Sequence, residues 1–256
     1  MSNFIYKIDY NIAKNFHKLY SIFGKFANAT MEGISLIAEA GILFLLIGLG
    51  LSIFKRTRKI GGTILLSVAL GFLITNIVLK PIIERARPFS NISSDFYKWW
   101  LDAGAIKESG YSFPSGHTTA TTAFSVAIFL TTNKKYSCYI LLLPLLMASS
   151  RIYLMVHYFS DCVGGIVVGT VSALIAWIIL KLIYSSKIKL FTWIREFDVF
   201  NVKKKKVVSA QISNEQTIVE EPVYQPLNQE SEENNKTLIQ NLLDDKDDKD
   251  DSKNNK

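Results

Sequence analysis

The sequence has little cysteine and little histidine for its 256 residues. Cys138 and Cys162 lie far apart in apolar stretches, so we expect two buried free thiols. Their spacing argues against a disulfide framework and against a zinc site. Only three histidines are present, His17, His117 and His157, so any chemistry that needs an imidazole has few candidates.

Long apolar runs are missing from residues 201–256, although they are frequent before that point. Residues 201–256 carry 9 Lys and Arg against 12 Asp and Glu, whereas residues 1–200 carry 20 against 10. A segment this polar cannot bury enough apolar surface to order itself. We therefore expect a disordered charged tail over 201–256, separate from a membrane-embedded core over 31–190.

The apolar runs of the core are each about as long as the roughly 20 residues that cross a bilayer. They predict five spans, and hence an all-α, multi-pass transmembrane helical bundle. The predicted spans cover residues 34–54, 60–80, 113–132, 137–156 and 162–184. The start of the chain lacks a short apolar core followed by a small-residue cleavage site, so we expect no signal peptide.

Residues 1–30 predict an amphipathic helix that lies in the membrane interface. Apolar residues recur at helical spacing from Phe4 to Phe26, and lysines line the other face. The segment is too charged to be a good span. His17 belongs to the polar face, and we expect it to be a solvated surface residue.

Positive charge in the loops predicts the orientation of the bundle. Basic clusters lie between spans one and two, between spans three and four, and after span five, which places all of them on one side. Positive charge marks the cytoplasmic side of a membrane protein. We therefore expect a cell-membrane protein with a cytoplasmic tail and with residues 81–112 and the region near His157 on the outer face.

Three clusters of polar residues meet on this expected outer side. The segment KPIIERARP ends span two, PSGH begins span three, and SRIYLMVHYFSD ends span four. Charged groups at membrane depth are costly and are usually functional. Glu84 and Arg85, in the first segment, are expected to form a solvated pair without a role in the site.

The residue types in these clusters suit a phosphoryl group. Lys80, Arg87 and Arg151 are cationic donors, and a guanidinium group matches the geometry of phosphate oxygens. Ser115 and Gly116 open a helix, where free backbone N–H groups and the helix dipole favour an anion. These five residues predict a phosphate-binding site.

The two histidines of the clusters predict a division of catalytic roles. Asp161 follows His157 by four residues, so it can hold one ring nitrogen protonated while the other attacks phosphorus. His117 is the candidate general acid, which then acts as the base on the water that cleaves the phosphohistidine. No cluster of carboxylates remains to hold metal ions, so we expect neither a metal nor a cofactor.

The same residues resemble the type-2 phosphatidic acid phosphatase family, which shares its site with vanadium haloperoxidases and bacterial acid phosphatases. The family pattern is K-x6-R-P, then P-S-G-H, then S-R-x5-H-x3-D, and the chain matches it from Lys80 to Asp161 without a departure. The resemblance implies the phosphohistidine route and the roles given above. Many membrane members have six spans, whereas five are predicted here.

The resemblance implies a membrane lipid phosphatase. The short chain, the amphipathic start and the outward site are similar to bacterial undecaprenyl-diphosphate phosphatases, so undecaprenyl diphosphate is the expected substrate. Phosphatidic acid or phosphatidylglycerol phosphate is the alternative within the same chemistry. A vanadate-dependent oxidase and a catalytically silent lipid-binding protein are the alternatives from other classes. The lipid is the expected partner, and neither a nucleic acid nor a protein partner is inferred.

Overall fold

The first part of the chain folds into α-helices that pack side by side. The computed structural model describes residues 3–36 and 41–188, together with the isolated positions 236 and 240. The described residues form helices and loops without a strand, which confirms the predicted all-α class. Apart from those two positions, the predicted tail lies outside the described residues, and the division of the chain before it stays a prediction.

Two helices precede the membrane core. Helix α1 is Asn3–Phe23 and helix α2 is Lys25–Leu36. Gly24 separates them, and its φ of +53° lies in the left-handed region that favours glycine. The amphipathic segment predicted over 1–30 is therefore two helices joined by a tight turn.

The five predicted spans correspond to helices that are partly interrupted by other helical turns. The helices are α3 (Ile42–Ile53), α4 (Arg58–Phe72), α5 (Lys80–Ile83), α6 (Asp95–Asp102), α7 (Gly116–Thr131), α8 (Lys134–Ser137), α9 (Leu143–Tyr153) and α10 (Phe159–Ser185). A π-helical segment, Leu73–Leu79, joins α4 to α5, and a 3₁₀ segment, Cys138–Leu142, joins α8 to α9. Helix α6 lies in the loop between the second and third predicted spans.

Three of these helical runs are long and apolar enough to cross a membrane: Arg58–Ser90, Lys134–Tyr153 and Phe159–Ser185. Helices α3 and α7 are shorter, with 12 and 16 residues. The span predicted over 34–54 is described as the end of α2 and the whole of α3, because residues 37–40 lie outside the described part. Large apolar side chains are exposed along α3, the π-helical segment and α10, as lipid contact requires. The chain is a multi-pass helical membrane protein.

Only one of the two cysteine side chains is buried. Cys162 is buried near the start of α10, whereas Cys138 is exposed at the start of the 3₁₀ segment. The prediction of two buried thiols is therefore wrong for Cys138. An apolar run in a sequence does not show which face of the helix packs on the bundle and which face is left to lipid.

Helices α7 and α10 pack closely because both are rich in small residues. An added Cβ at Gly165 would lie 2.8 Å from the carbonyl oxygen of Ser115, and one at Gly169 would lie 2.6 Å from that of Thr119. The two glycines form a G-x-x-x-G pattern, which lets helix backbones approach closely in a membrane. The contact also joins two of the sequence motifs, since the Ser115 N–H donates to the carbonyl oxygen of Asp161 at 3.0 Å.

We expect Gly169→Ala to destabilise the protein by about 1–3 kcal/mol, because the α7 backbone cannot yield to a new Cβ without moving the helix. Gly50→Ala is the matched control, since an added Cβ at Gly50 in helix α3 meets nothing within 4 Å. Thermal unfolding of both variants in detergent measures the difference. Equal melting temperatures for the two variants would contradict the close packing of α7 on α10.

The remaining core of the membrane part lies between α3, α4, α7 and α9. Phe44 stacks on Phe124 with the ring centroids 4.4 Å apart. Ile64, Val68 and Met147 surround this pair, and all five side chains are buried. This apolar cluster packs α4 against α7, so it fixes the helix that leads through the π-helical segment to Lys80 against the helix that begins in the PSGH segment.

Helix α1 is fixed to the loop region through its polar face. The His17 Nε2 atom lies 2.9 Å from a carboxylate oxygen of Asp102, and the His17 ring stacks on Trp99 with the centroids 5.3 Å apart. The His17 side chain is 25% exposed, so it is partly buried rather than solvated as predicted. The polar face of α1 packs on α6, which the sequence pattern of α1 alone does not reveal.

Candidate active site

A cavity of about 480 Å³ lies where α5 and α7 begin and where α9 ends. The predicted site residues that line it are Lys80, Arg87, Gly116, His117, Arg151 and His157. The other two, Ser115 and Asp161, are fully buried beside it. The structure therefore brings the three sequence motifs together at one place.

A π-helical turn sets the position of Lys80. Such turns insert a residue into an α-helix and are frequent at functional sites. Thr75, within the turn, donates to the Thr119 Oγ1 atom at 3.2 Å, which fastens the turn to α7. Helix α5 then ends at Ile83, and the φ of +48° at the next residue, Glu84, redirects the chain. Within residues 3–36 and 41–188, Lys80 makes no ion pair, so its ammonium group is left to the cavity.

Helix α7 begins in the wall of the cavity. The Ser115 side chain caps the helix by accepting a hydrogen bond from the Thr118 N–H at 3.4 Å. Gly116 and His117 are the first two residues of the helix, where N–H groups are free to meet an anion. An added Cβ at Gly116 would meet nothing within 4 Å, so glycine leaves open space at this point.

Asp161 holds the loop that carries His157. Its Oδ2 atom accepts hydrogen bonds from the Ser112 hydroxyl at 2.5 Å and from the Tyr158 N–H at 2.9 Å. The same oxygen lies 3.6 Å from the His157 Nδ1 atom. Ser112 is also 3.5 Å from this ring nitrogen. Because Nδ1 faces Asp161 and Ser112, the Nε2 atom on the opposite edge of the ring is left for the cavity.

His157 is buried among positive charges. Burial lowers the pKa of the His157 ring to about 4, an effect that the Asp161 carboxylate opposes and the Arg151 charge reinforces. The ring is therefore neutral near pH 7, and one of its nitrogens carries a free lone pair.

The low pKa of His157 makes folding stability depend on pH in a specific window. The unfolded chain binds a proton at this residue near pH 6.5, whereas the folded protein does not until about pH 4. The stability that the neutral ring contributes is therefore complete above pH 6.5 and is lost as the pH falls towards 4. This loss amounts to about 3 kcal/mol.

We expect His157→Asn to remove this part of the pH dependence. Melting temperatures of the wild type and the variant, measured in detergent from about pH 7 to about pH 4.5, should converge as the pH falls. Gly50→Ala, which changes no titrating group and whose added Cβ meets nothing within 4 Å, is the control and should keep the wild-type slope. Parallel curves for wild type and His157→Asn would contradict the low pKa.

Arg87 is held by three backbone carbonyl groups. Its Nε atom donates to Gly110 at 3.0 Å, its Nη1 atom to Val156 at 3.0 Å, and its Nη2 atom to Ser109 at 2.7 Å. These carbonyls belong to the loop before the PSGH segment and to the loop before His157. Arg87 thus lines the cavity and also holds together the two loops that bring the histidines to it.

Glu108 places a carboxylate among the cationic groups of the cavity. One of its oxygens accepts from Arg151 Nη2, and the other lies 3.6 Å from Arg87 Nη2. Burial raises the pKa of Glu108, but the charge and the hydrogen bond of Arg151 outweigh it and hold the pKa below its ordinary value. The carboxylate is therefore ionised, and this anion lies beside Arg151 and Arg87, two of the three cationic side chains predicted to bind phosphate.

Arg151 is almost fully buried, and one of its hydrogen-bond donors has no partner in the described part of the chain. Its Nη1 atom donates to the Ser35 hydroxyl, and its Nη2 atom donates to Glu108. Its Nε atom is buried and has no hydrogen-bond partner in the described part of the chain. A buried donor without a partner is costly, so this atom is suited to an incoming acceptor.

The prediction that Arg85 is solvated is wrong. Its side chain belongs to a buried network of hydrogen bonds and ion pairs. Its Nη1 atom donates to the Ser160 hydroxyl at 2.7 Å and pairs with Asp161. Its Nη2 atom lies 2.8 Å from Asp9 Oδ2, and its guanidinium group lies 3.9 Å from the Tyr158 ring centroid.

The expected partner of Arg85, Glu84, instead accepts a hydrogen bond from the Tyr111 hydroxyl at 2.8 Å. The two neighbours separate because Glu84 has a left-handed backbone conformation, which turns the following residue inward. Such a conformation is not evident from the letters of the sequence.

Asp9, Glu108 and Ser112 belong to the site but were not predicted. Asp9 has a signal in the sequence: it is the only acidic residue before Glu32, and it stands four residues after Ile5, on the apolar face of α1. A charge on an apolar face indicates a buried partner. Glu108 and Ser112 stand in a loop without periodicity, and no such signal marks them.

The fold and the cavity define the protein as a helical membrane protein with a cationic site that holds two histidines. A model of the PAP2 superfamily matches residues 60–184. Phosphatidylglycerophosphatase B of Bacillus subtilis is 33% identical over 156 residues, which are 56% of this chain and 70% of that protein. The chain belongs to the PAP2 superfamily.

Two further relatives match over a shorter part of their length. Undecaprenyl-diphosphatase of Sulfolobus acidocaldarius is 32% identical over 120 residues, 47% of this chain and 55% of that protein. Lipid A 4'-phosphatase of Porphyromonas gingivalis is 34% identical over 120 residues, 46% of this chain and 49% of that protein. The chain spans about half the length of these two relatives.

Two crystal structures share the fold. The transmembrane PAP2-type phosphatidylglycerolphosphate phosphatase of Bacillus subtilis has a TM-score of 0.52 and 24% identity, and the match covers 73% of this chain and 90% of that one. Aquifex aeolicus LpxE has a TM-score of 0.52 and 20% identity, with coverage of 64% and 92%. At these identities the likeness is one of fold.

Proposed function

We propose that this protein is a membrane lipid phosphatase that hydrolyses a phosphate or diphosphate ester through a phosphohistidine intermediate. The observation that supports this most directly is a single cavity lined by two histidines and by four cationic side chains, the three predicted ones and Lys107. The cations suit a phosphoryl group, and the histidines suit its transfer. Family membership supports the same chemistry.

The apolar part of the cavity supports a lipid rather than a soluble phosphate ester. Leu36, Val68, Phe72 and Ala120 line the same cavity as the cationic groups. A hydrocarbon chain against these side chains would be removed from water, while its head group reaches the cations. The hydrocarbon chain of the ligand would thus lie against the apolar side chains, and its phosphate head group would lie against the cationic ones.

In the first step, the Nε2 atom of His157 attacks phosphorus, and the bond from phosphorus to the leaving oxygen breaks. His117 gives its proton to that oxygen, which leaves as the lipid alcohol or the lipid monophosphate. Asp161 faces the Nδ1 atom at 3.6 Å and stabilises the positive charge that the ring gains.

In the second step, water attacks the phosphorus of the phosphohistidine. His117, now neutral, takes a proton from the water, and the P–N bond breaks to give inorganic phosphate and free His157. Lys80, Arg87 and Arg151 would bind the phosphoryl oxygens throughout. We propose that the reaction needs no metal ion, because these side chains supply the positive charge that metal ions supply at other phosphoryl-transfer sites.

Glu108 competes with the phosphoryl group for Arg151. We expect Glu108→Gln to lower the inhibition constant of inorganic phosphate about tenfold, since a hydrogen bond to a charged group is worth about 1.5–3 kcal/mol. Glu32→Gln is the matched control, because Glu32 lines the same cavity but makes no ion pair with any described residue. Product-inhibition kinetics measure both variants. An unchanged or higher inhibition constant for Glu108→Gln would contradict the competition.

Undecaprenyl diphosphate is the substrate that we propose, and phosphatidylglycerol phosphate or phosphatidic acid is the second candidate. The names of the relatives favour the first two about equally, since one is an undecaprenyl-diphosphatase and another a phosphatidylglycerophosphatase. We also propose that the cavity opens to the outer face and that the tail is cytoplasmic. A cysteine placed within residues 91–98 should then be labelled from outside intact cells.

Purified protein in detergent with EDTA tests the function. Phosphate release from the three lipids is compared between the wild type, His157→Asn and the matched control His17→Asn. Release that survives EDTA and is lost only in His157→Asn supports the proposal, and the ranking of the lipids identifies the substrate. Lipid binding without release would favour a silent lipid-binding protein, and bromide oxidation with added vanadate would favour an oxidase.

A further inference from the structure

Asp9 is a buried carboxylate in a helix that is otherwise basic. Its side chain is 0% exposed, and both of its oxygens are used. Oδ1 accepts from the Ser160 N–H at 2.8 Å, and Oδ2 accepts from the Ser160 hydroxyl at 2.8 Å and from Arg85 at 2.8 Å. A charge buried this completely is costly unless it is paired, and here it is paired with one cation.

Arg85 stands between two carboxylates, those of Asp9 and Asp161. It pairs with the Oδ1 atom of Asp161, whose Oδ2 atom faces His157. The Arg85 Nε atom is buried without a partner in the described part of the chain. The position of the guanidinium group is therefore set by the two carboxylates, by Ser160 and by the Tyr158 ring.

We propose that Asp9 is a positioning residue for the His157–Asp161 pair, acting through Arg85 and Ser160. The inference rests on the proposed function in so far as these two residues are the nucleophile and its partner. Helix α1 is then part of the support of the active site and not only an element that lies at the membrane surface.

The physical effect of removing the Asp9 charge follows from this arrangement. Arg85 would keep a single carboxylate, Asp161, and would be drawn towards it. The Asp161 carboxylate would then turn, and its Oδ2 atom would no longer face His157 Nδ1. A displacement of about 1 Å in such a group lowers turnover by as much as about 100-fold.

A second polar contact of α1 provides a matched control. His17 pairs with Asp102 at 2.9 Å, which also fixes α1 to the loop region, but neither residue contacts Arg85 or Asp161. Asp102→Asn therefore weakens the docking of α1 without touching the network. Any effect that arises only from loosening of the helix appears in both Asp9→Asn and Asp102→Asn.

The test compares turnover of the proposed lipid substrates by the wild type, Asp9→Asn and Asp102→Asn. Asp9→Asn should lower kcat about 10-fold to 100-fold with KM changed less than about twofold, because the phosphate and lipid contacts are intact. Asp102→Asn should leave both constants near wild type. Equal losses in the two variants, or a wild-type kcat for Asp9→Asn, would overturn the inference.

A double-mutant cycle tests the route through Arg85. If Asp9 acts through Arg85, then Asp9→Asn should lower kcat in the wild-type background and change it little in an Arg85→Gln background. Losses that multiply in the double variant would show that Asp9 acts by another route, which contradicts the inference.

A spectroscopic measurement keeps the inference independent of the proposed activity. The chain has three histidines, so ¹⁵N-histidine labelling gives a ring spectrum with few signals. Asp9→Asn should shift the ring nitrogen signals of His157, and Asp102→Asn should not. If no lipid is hydrolysed but this difference is seen, the proposed function fails and the positioning role stands. If lipids are hydrolysed but Asp9→Asn leaves the His157 signals unchanged, the positioning role fails alone.

Discussion

Replacement of His157 by asparagine is expected to lower lipid hydrolysis by about 10⁴-fold or more, because the reaction loses its nucleophile. Binding of the lipid should change much less, since Lys80, Arg87 and Arg151 are untouched. The measurement is phosphate release at saturating lipid together with equilibrium binding of the same lipid in detergent.

His17→Asn is the control for this first expectation, because His17 lies at the contact of α1 with α6. It should keep full turnover. If His157→Asn retains more than about a hundredth of the wild-type turnover, His157 is not the nucleophile.

Replacement of His117 by asparagine is expected to lower lipid hydrolysis by about 10²-fold to 10⁴-fold, and the loss should depend on the leaving group. A lipid alcohol is a poor leaving group and needs a proton as it departs. A nitrophenolate is a good one and does not. His117→Asn should therefore retain most of the first chemical step with p-nitrophenyl phosphate, measured as a burst of nitrophenol.

The second step gives a further sign of the same role. His117 is proposed as the base that activates water, so the variant should release phosphate slowly after the burst and accumulate the phosphorylated protein. Equal losses for the lipid and for the nitrophenyl ester would contradict a general-acid role. A loss confined to KM would assign His117 to binding.

Much of the fold could be predicted from apolar runs alone, because helices that span a bilayer need about 20 apolar residues. The runs do not show where a helix changes its winding. The π-helical turn Leu73–Leu79 and the 3₁₀ segment Cys138–Leu142 both lie within predicted spans and were not foreseen. The π-helical turn contacts α7 through Thr75 and Thr119, which are 44 positions apart, and no local pattern in the sequence reveals that contact.

The candidate site could be predicted where it rests on residue types at fixed spacing. The structure places the two histidines and the three cations of the motifs in the lining of one cavity, with Asp161 buried beside it. Arg85, Asp9 and Glu108 were missed because their importance lies in partners far along the chain. Arg85 pairs with residues 76 positions away in both directions, and no local spacing encodes that.

The relation between Glu108 and the cations also lies beyond the motifs. Glu108 comes from the loop between α6 and α7, and it meets Arg151 from the end of α9. The sequence predicts the cations as a phosphate site, but the structure shows that a carboxylate of the chain already contacts two of them. Substrate binding must therefore displace a resident anion or share the guanidinium groups with it.

The most direct test of the central claim is to find the covalent intermediate. Protein mixed with lipid that carries a ³²P-labelled phosphoryl group would be quenched in alkali and digested, since a phosphohistidine survives alkali better than acid. We expect the label on the peptide that contains His157, more of it in His117→Asn, and none in His157→Asn. Label on another residue would contradict the phosphohistidine route. So would steady hydrolysis with no labelled protein in either the wild type or His117→Asn.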